Sequence, residues 1–181
     1  MKRIFSIVAA LLFFSSPSIK AQSDAGAIFL LISPGARAGG MGEAQVAVAN
    51  DAYASYWNQA GLAFQEGSEL AVMHVNWLPS LADDMYYEFL GFRKQFPTLG
   101  TLGGHLIYLN LGEQVRMDEY AQYQGTFTSY MMAGAMSYST QLSPSSSFGM
   151  SAKLSYQHLN WEQDLKKEKV LQWTLASILD T

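Results

Sequence analysis

The stretch TFTSYMMAGAMSYSTQL, residues 126–142, decides the fold because its side chains alternate in character from one residue to the next. The even positions from Tyr130 to Tyr138 are tyrosine, methionine or glycine, whereas the odd positions are mostly small or polar. A period of two predicts a β-strand with one apolar face. Tyr130 and Tyr138 would lie about 26 Å apart at roughly 3.3 Å per residue. That separation is typical of the aromatic girdles that flank the lipid-facing band of a membrane barrel.

Other segments alternate in the same way. Ser147 to His158 repeats the pattern, with Phe148, Met150, Ala152, Leu154 and Tyr156 on one face and mostly serine, glycine and lysine on the other. Strands are also predicted over Glu69–Leu78 and Leu99–Leu111, with an ambiguous one at Met85–Phe96 and a sixth candidate at Val170–Leu179. Tight turns at 96–98 and 143–145 alternate with longer polar connections at 79–84, 112–125 and 160–169, as in outer-membrane barrels.

The apolar face of each predicted strand is expected to contact lipid. The predicted girdle consists of Trp77, Tyr108, Tyr130, Tyr138 and Tyr156. The opposite face would line the lumen, and it is expected to carry His74, Glu88, His105, Ser137 and Lys153. Arginine at Met136 should therefore be costly, whereas arginine at Ser137 should be tolerated much better.

Composition and the N-terminus restrict the compartment. The chain has 181 residues, a net charge of −4, 14% charged, 49% hydrophobic and 13% aromatic residues, and no cysteine. This balance argues against a nucleic-acid partner, and the missing thiols exclude disulfides and thiolate metal sites. Lys2-Arg3 followed by the apolar stretch Ile4–Phe14 predicts a signal peptide over residues 1–21. An exported chain of this composition is either a secreted all-β domain or an outer-membrane barrel, and the long alternation favours the barrel.

Residues 22–67 do not alternate, and they contain the block YASYWNQAGLA, residues 53–63. Asn50 is expected to cap a short helix over Asp51–Trp57. Small residues and glycines would let this segment pack closely inside the barrel as a plug. In that arrangement Tyr56 and Trp57 would pack on luminal side chains, and Asn58, buried beside Trp57, would hydrogen-bond the backbone. The alternative is a linker next to the signal peptide.

The stretch from Phe29 to Ala63 resembles the N-terminal signature of the PorV/PorQ family of outer-membrane proteins. The matching residues are Ser33, Pro34, Gly35, Arg37, Gly39, Gly40, Met41, Gly42, Trp57 and Asn58. The wider group of fatty-acid-transporter-like barrels carries an Asn-Pro-Ala-Gly motif in an N-terminal hatch, to which Asn58, Ala60 and Gly61 correspond. Gln59 replaces the proline, so the turn after Asn58 should be less rigid. Tyr56 completes the set of candidate hatch residues.

The resemblance implies a barrel of about 14 strands that works in the type IX secretion system of Bacteroidota. Such a member would accompany the translocon channel and receive cargo through its C-terminal domain, with outer-membrane lipid as its surroundings. The sequence offers only five to six strands over residues 68–181, whereas a bacterial barrel needs at least about 8. This count favours a fragment or an early-terminated product of a longer protein over an oligomer closed from several short chains.

No motif predicts an enzyme, a cofactor or a metal site. His74, His105 and His158 fall on different strands without metal-ligand spacing, and neither G-x-S-x-G nor H-E-x-x-H occurs. Three functions stay open: an accessory barrel for protein secretion, a channel for hydrophobic solutes gated by the hatch, and an outer-membrane lipid hydrolase. The serine-rich predicted lumen argues against the solute channel, and a serine–histidine pair on one face would be needed for the hydrolase.

Overall fold

The structure, a computed structural model, describes residues 27–158 and the backbone of residues 168–179. Residues 27–67, the hatch, form short helices joined by turns, and the sheet begins at Ser68. The signal peptide predicted over residues 1–21 and most of the predicted loop at 160–169 lie outside the described residues. No helix in the described part of the chain is long and apolar enough to cross a membrane.

The sheet is antiparallel, and its strands follow one another in chain order from β1 to β6. The strands are β1 (Ser68–Asn76), β2 (Tyr86–Phe96), β3 (Gly100–Met117), β4 (Tyr123–Ser143), β5 (Ser146–His158) and β6 (Glu168–Leu179). The all-β prediction is thus confirmed for this sheet, including the ambiguous β2 and the sixth candidate. The sheet is open, because β1 and β6 are not paired with each other.

The hatch is built from five short helices. They are the 3₁₀ helix Ile28–Leu31, the α-helices Ala36–Gly40, Gln45–Val48 and Ala54–Trp57, and the 3₁₀ helix Gln59–Phe64, which we call the motif helix. Helices this short gain little stability from their own hydrogen bonds, so packing against the sheet must hold them.

One face of the sheet, the inner face, carries the core. Tyr87, Phe89, Ile107 and Leu109 are buried there against the hatch residue Phe29. Because side chains alternate along a strand, the residues between them point to the opposite, outer face. The hatch therefore covers one face of the sheet and leaves the other uncovered.

The structure corrects the predicted faces of β1 and β2. Met73 and Trp77 pack against the inner core, and the Trp77 ring lies 6.4 Å from that of Tyr87. Trp77 was therefore wrongly predicted to be a girdle residue. His74 and Glu88 lie on the outer face, where their side chains are 3.3 Å apart, so the prediction that they line the lumen is also wrong. The inner face of β1 is apolar because it contacts the hatch.

The structure also corrects the predicted loop at 112–125. Here β3 and β4 continue as a paired hairpin well past the ends of β1, β2 and β5, and only residues 118–122 form the turn. A register shift between Asn110 and Glu113 marks a β-bulge where the extension begins. The end of the sheet with this hairpin is called the tip end below, and the end with the tight turns 97–99 and 144–145 is called the turn end.

Candidate functional site

Polar contacts inside the hatch involve several of the residues singled out in the sequence. Arg37 Nη1 donates to Asn50 Oδ1 across 2.6 Å and lies 3.4 Å from an Asp51 carboxylate oxygen. Asp51 accepts the backbone N–H of Tyr53, and the helix that follows is Ala54–Trp57. Asn50 was therefore wrongly predicted as the helix cap, because its side chain is engaged by Arg37.

The glycine-containing loop of the hatch is held at both ends. Ser33 Oγ donates to Glu43 across 2.6 Å, and the Pro34 carbonyl accepts the Trp57 indole N–H across 3.2 Å. Gly35 and Gly42 have φ of 102° and 61°, values that favour glycine. Gly39 and Gly40, by contrast, have open space where a Cβ would lie.

The motif helix begins at Gln59, directly after Asn58. Asn58 Oδ1 accepts the N–H of Ala60 at 3.2 Å, and its amide donates to the Val46 carbonyl at 3.1 Å. Asn58 thus hydrogen-bonds the backbone, but Asn58 and Trp57 are half-buried and not buried as expected. Gly61 is required here, because a Cβ would come within 2.6 Å of the Ala49 Cβ.

Aromatic contacts seat the hatch on β2 and β3. Tyr53 stacks on Phe89 with ring centroids 4.9 Å apart, and Tyr56 meets Phe89 and His105 edge-on. The Lys153 ammonium lies 5.1 Å from the Tyr56 ring centre. Burial raises the pKa of the Tyr56 phenol, which stays protonated and donates to the Leu30 carbonyl at 2.5 Å. Tyr56 packs on inner-face side chains as predicted, whereas the ring of Trp57 contacts Tyr56.

Glycines of the inner face let the hatch backbone approach the strands. A Cβ at Gly149 would come within 2.5 Å of the Ala60 nitrogen, and one at Gly103 within 2.8 Å of a Leu62 methyl. A Cβ at Gly91 would come within 2.8 Å of the Phe89 ring and 3.3 Å of the Ala52 carbonyl oxygen. Sequence reasoning did not identify these residues as functional, although an isolated glycine within a strand pattern is a signal of close backbone approach.

A serine–histidine pair lies beneath the hatch. Ser55 Oγ is 3.3 Å from His105 Nδ1, and both residues are at most 1% exposed. The Ser55 hydroxyl donates to the Ala52 carbonyl, so its proton is directed away from the imidazole. A sealed pair of this kind gives a substrate no access. Among the described residues, no cluster of histidine, aspartate and glutamate forms a metal site.

The outer face is organised in rows that cross β1 to β5, each taking one residue from every strand. From the tip end the rows are Asn76, Tyr86, Asn110, Tyr130 and His158; His74, Glu88, Tyr108, Met132 and Tyr156; Val72, Leu90, Leu106, Gly134 and Leu154; Leu70, Phe92, Gly104, Met136 and Ala152; and Ser68, Lys94, Leu102, Tyr138 and Met150. The third and fourth rows contain only apolar residues. Polar and aromatic residues are concentrated in the first, second and fifth rows.

The rings of the first two rows form a continuous chain. Successive centroids from His74 through Tyr86, Tyr108 and Tyr130 to Tyr156 are 5.8, 6.0, 5.9 and 6.2 Å apart. At the turn end, the Tyr138 hydroxyl donates to the Leu99 carbonyl. Tyr108, Tyr130, Tyr138 and Tyr156 thus share the outer face, as expected from the alternation. This face combines an apolar band with aromatic borders.

Comparison with known families identifies the chain. The family described as type IX secretion system protein PorV matches residues 18–173, which include the hatch and the strands as far as β6. The chain belongs to the PorV family. It is accordingly a component of the type IX secretion system, and the resemblance seen in its hatch is confirmed. No curated protein matches this PorV family member.

Proposed function

We propose that the sheet of this PorV family member is part of the wall of an outer-membrane β-barrel that surrounds the hatch. We further propose that the barrel accompanies the type IX translocon and receives cargo C-terminal domains for delivery to the cell surface. The proposal rests on the outer face, whose rows have the layout of a lipid-facing wall.

Exposure of the apolar rows supports a membrane environment. Leu70, Val72, Leu106, Met136 and Leu154 are between 58% and 69% exposed. Soluble monomers rarely expose a contiguous apolar patch larger than about 300–600 Å². The first and fifth rows are about 26 Å apart at roughly 3.3 Å per residue, close to the height of the lipid-facing band of outer-membrane barrels.

The far side of the hatch supports closure of the wall around it. Ile28, Leu31, Val46 and Val48 are apolar and between 42% and 79% exposed, because the described sheet covers only the other side of the hatch. Among the described strands, the edge of β1 that does not face β2 is also unpaired, and lipid cannot satisfy unpaired strand edges. Additional wall would cover the apolar side chains and pair the open edges.

A charge placed on each face of the sheet tests the membrane wall. Met136→Arg should destabilise the protein in lipid by up to about 2–4 kcal/mol, because the fourth row is next to the central third row of the proposed lipid-facing band. In a water-soluble sheet the same change would alter stability by only about 0.5 kcal/mol, because the site is exposed. The measurement is denaturant unfolding from lipid vesicles.

The inner-face control is Gln157→Arg on β5, which lies between the first and second rows and therefore nearer the border than Met136. Gln157 is partly exposed, whereas Ser137 is 3% exposed beneath the hatch, so arginine at Ser137 would displace the hatch and cannot serve as the control. Equal effects of Met136→Arg and Gln157→Arg would contradict the lipid-facing assignment.

The secretion role needs a separate experiment. In cells that lack the chain, type IX cargo proteins should not reach the surface, so protease added outside the cells should not cleave them. Restoring the chain should return the cargo to the surface and make it cleavable again. Normal cargo display without the chain would contradict the cargo role, while the outcome for Met136→Arg would still decide the membrane wall.

A further inference from the structure

A groove crosses the outer face where the second and third rows meet. Its volume is about 750 Å³, within the range of small-molecule sites. Leu90, Leu106 and Leu154 line it from three strands, while Gly134 contributes no side chain to the third row. Gly134 lies between Leu106 and Leu154, its partners on the neighbouring strands. A Leu106 methyl is 3.1 Å from the position a Gly134 Cβ would take, and no atom of Leu154 is within 4 Å of it, so the gap opens toward Leu154.

The groove has an apolar floor and a polar border. The border is the second row, where His74 Nδ1 lies 3.3 Å from Glu88 Oε1 and the two side chains are 56% and 52% exposed. An ionised carboxylate has about four acceptor positions. The contact with His74 therefore leaves Glu88 able to accept further hydrogen bonds from a ligand. Tyr108 lies directly opposite Glu88 on β3 and adds a hydroxyl to the border.

We propose that this groove binds one membrane lipid with an ammonium-bearing headgroup. Its acyl chain lies over Gly134 between the leucines, and its ammonium group pairs with the Glu88 carboxylate. An amphiphile fits because the apolar and polar parts of the groove are consecutive rows of one face. The negative charge of Glu88 favours a cationic group over a purely anionic headgroup. This inference rests on the proposed membrane wall.

Retention of lipid by the purified protein tests the site. The protein is extracted from outer membranes, delipidated in detergent, mixed with equal amounts of phosphatidylethanolamine and phosphatidylglycerol, and examined by native mass spectrometry. We expect one phosphatidylethanolamine to be retained, preferred about tenfold over phosphatidylglycerol, as one charge-assisted hydrogen bond would give. Gly134→Leu, which fills the gap, should abolish retention.

The Glu88→Gln variant should still retain one lipid through its acyl chain, but it should no longer prefer phosphatidylethanolamine over phosphatidylglycerol. Met136→Leu in the fourth row and Glu113→Gln on the hairpin extension are matched controls, and both should behave like the unaltered protein. Glu88→Gln also provides the test if Gly134→Leu does not assemble.

Three results would overturn the lipid site. They are equal retention of the two lipids by the unaltered protein, an unchanged preference in Glu88→Gln, and loss of a co-purified protein instead of a lipid in Gly134→Leu. Failure to recover the protein from outer membranes would instead contradict the proposed function.

Discussion

Ser147 Oγ on β5 donates to the carbonyl oxygen of Ala60 in the motif helix across 2.9 Å. Two residues further along β5, Gly149 lies against the backbone of Gln59 and Ala60. The strand thus binds the motif helix through the Ser147 hydroxyl, and the absence of a side chain at Gly149 lets the two backbones approach closely. Together these contacts fix how closely the hatch approaches the wall.

Gly149→Ala should loosen the hatch. The added Cβ would come within 2.5 Å of the Ala60 nitrogen, and backbone atoms cannot move aside as a flexible side chain can. Overpacking of this kind costs about 1–3 kcal/mol. The rate of trypsin cleavage at Arg37 would report release of the hatch. Gly40→Ala is the control, because nothing lies within 4 Å of its Cβ position, and its cleavage rate should not rise.

Gln59→Pro should be close to neutral. Proline is favoured at the first position of a helix, and Asn58 before it is extended, with φ −158° and ψ 100°. Proline should stabilise the folded state by about 0.4–1 kcal/mol because it restricts the unfolded chain. The substitution also removes the hydrogen bond from Gln59 Nε2 to the Ser55 carbonyl, which offsets this gain. Gln59→Ala loses this bond without the gain, so thermal unfolding should find it less stable than Gln59→Pro. The reverse order would show that proline strains the turn.

Asn58→Ala should destabilise the hatch by about 1 kcal/mol, the usual effect of losing a helix-capping side chain. Asn58→Asp keeps an acceptor for the Ala60 N–H but loses the donor to the Val46 carbonyl. Its unfolding midpoint should therefore lie between those of Asn58→Ala and the unaltered protein. A midpoint for Asn58→Asp equal to that for Asn58→Ala would assign the whole effect to the contact with Val46.

Cysteine labelling tests whether further wall covers the hatch. Val46 is 49% exposed beside the described sheet, Tyr120 at the tip is 82% exposed and Ala63 is 8% exposed. In the detergent-solubilised protein, Val46→Cys should react with a maleimide as slowly as Ala63→Cys, because additional wall would shield it. Tyr120→Cys should react quickly. If Val46→Cys reacts as quickly as Tyr120→Cys, the far side of the hatch is open to solvent.

The hairpin turn should depend on pH through Asp118. The N–H of Gln122, and then that of Tyr120, hold the pKa of the Asp118 carboxyl below its usual value. A lowered folded-state pKa contributes stability that is complete above the unfolded pKa and is lost as pH falls through the folded one. Amide exchange at Gln122, corrected for its intrinsic pH dependence, should therefore show protection at neutral pH that disappears in acid. Asp118→Ala should remove the protection at neutral pH.

The sequence predicts the strand positions well because alternation depends only on the backbone. It assigns the residues of β4 and β5 to the correct faces. On these strands the polar residues Ser137 and Lys153 alternate with apolar residues such as Met136 and Leu154, so the two faces differ clearly in hydropathy. On β1 the apolar residues Met73 and Trp77 face the hatch, whereas the polar residue His74 faces outward. An apolar face that meets the hatch has the same hydropathy as one that meets lipid, so the pattern could not tell the two environments apart. That is why Trp77 and His74 were assigned to the wrong faces.

Other features depend on contacts between residues far apart in the chain. The extension of β3 and β4 looked like a loop because both of its faces carry polar residues once the strands leave the apolar rows. The close approach at Gly149 cannot be read from β5 alone, since the atoms that make glycine necessary belong to the motif helix. The hatch signature itself was recognisable, but not which backbone groups Asn58 would bind.

The chain-order arrangement of the strands has a kinetic consequence. Each strand pairs with the one synthesised just before it, so the sheet can grow one hairpin at a time with short loop closures. The contact between Ser147 and Ala60 instead joins positions 87 residues apart, and it requires β5 to be in place. The hatch, although made first, therefore cannot complete this docking until the sheet has reached β5. A sheet that stalls before β5 therefore leaves the motif helix without this hydrogen bond, and the hatch incompletely docked.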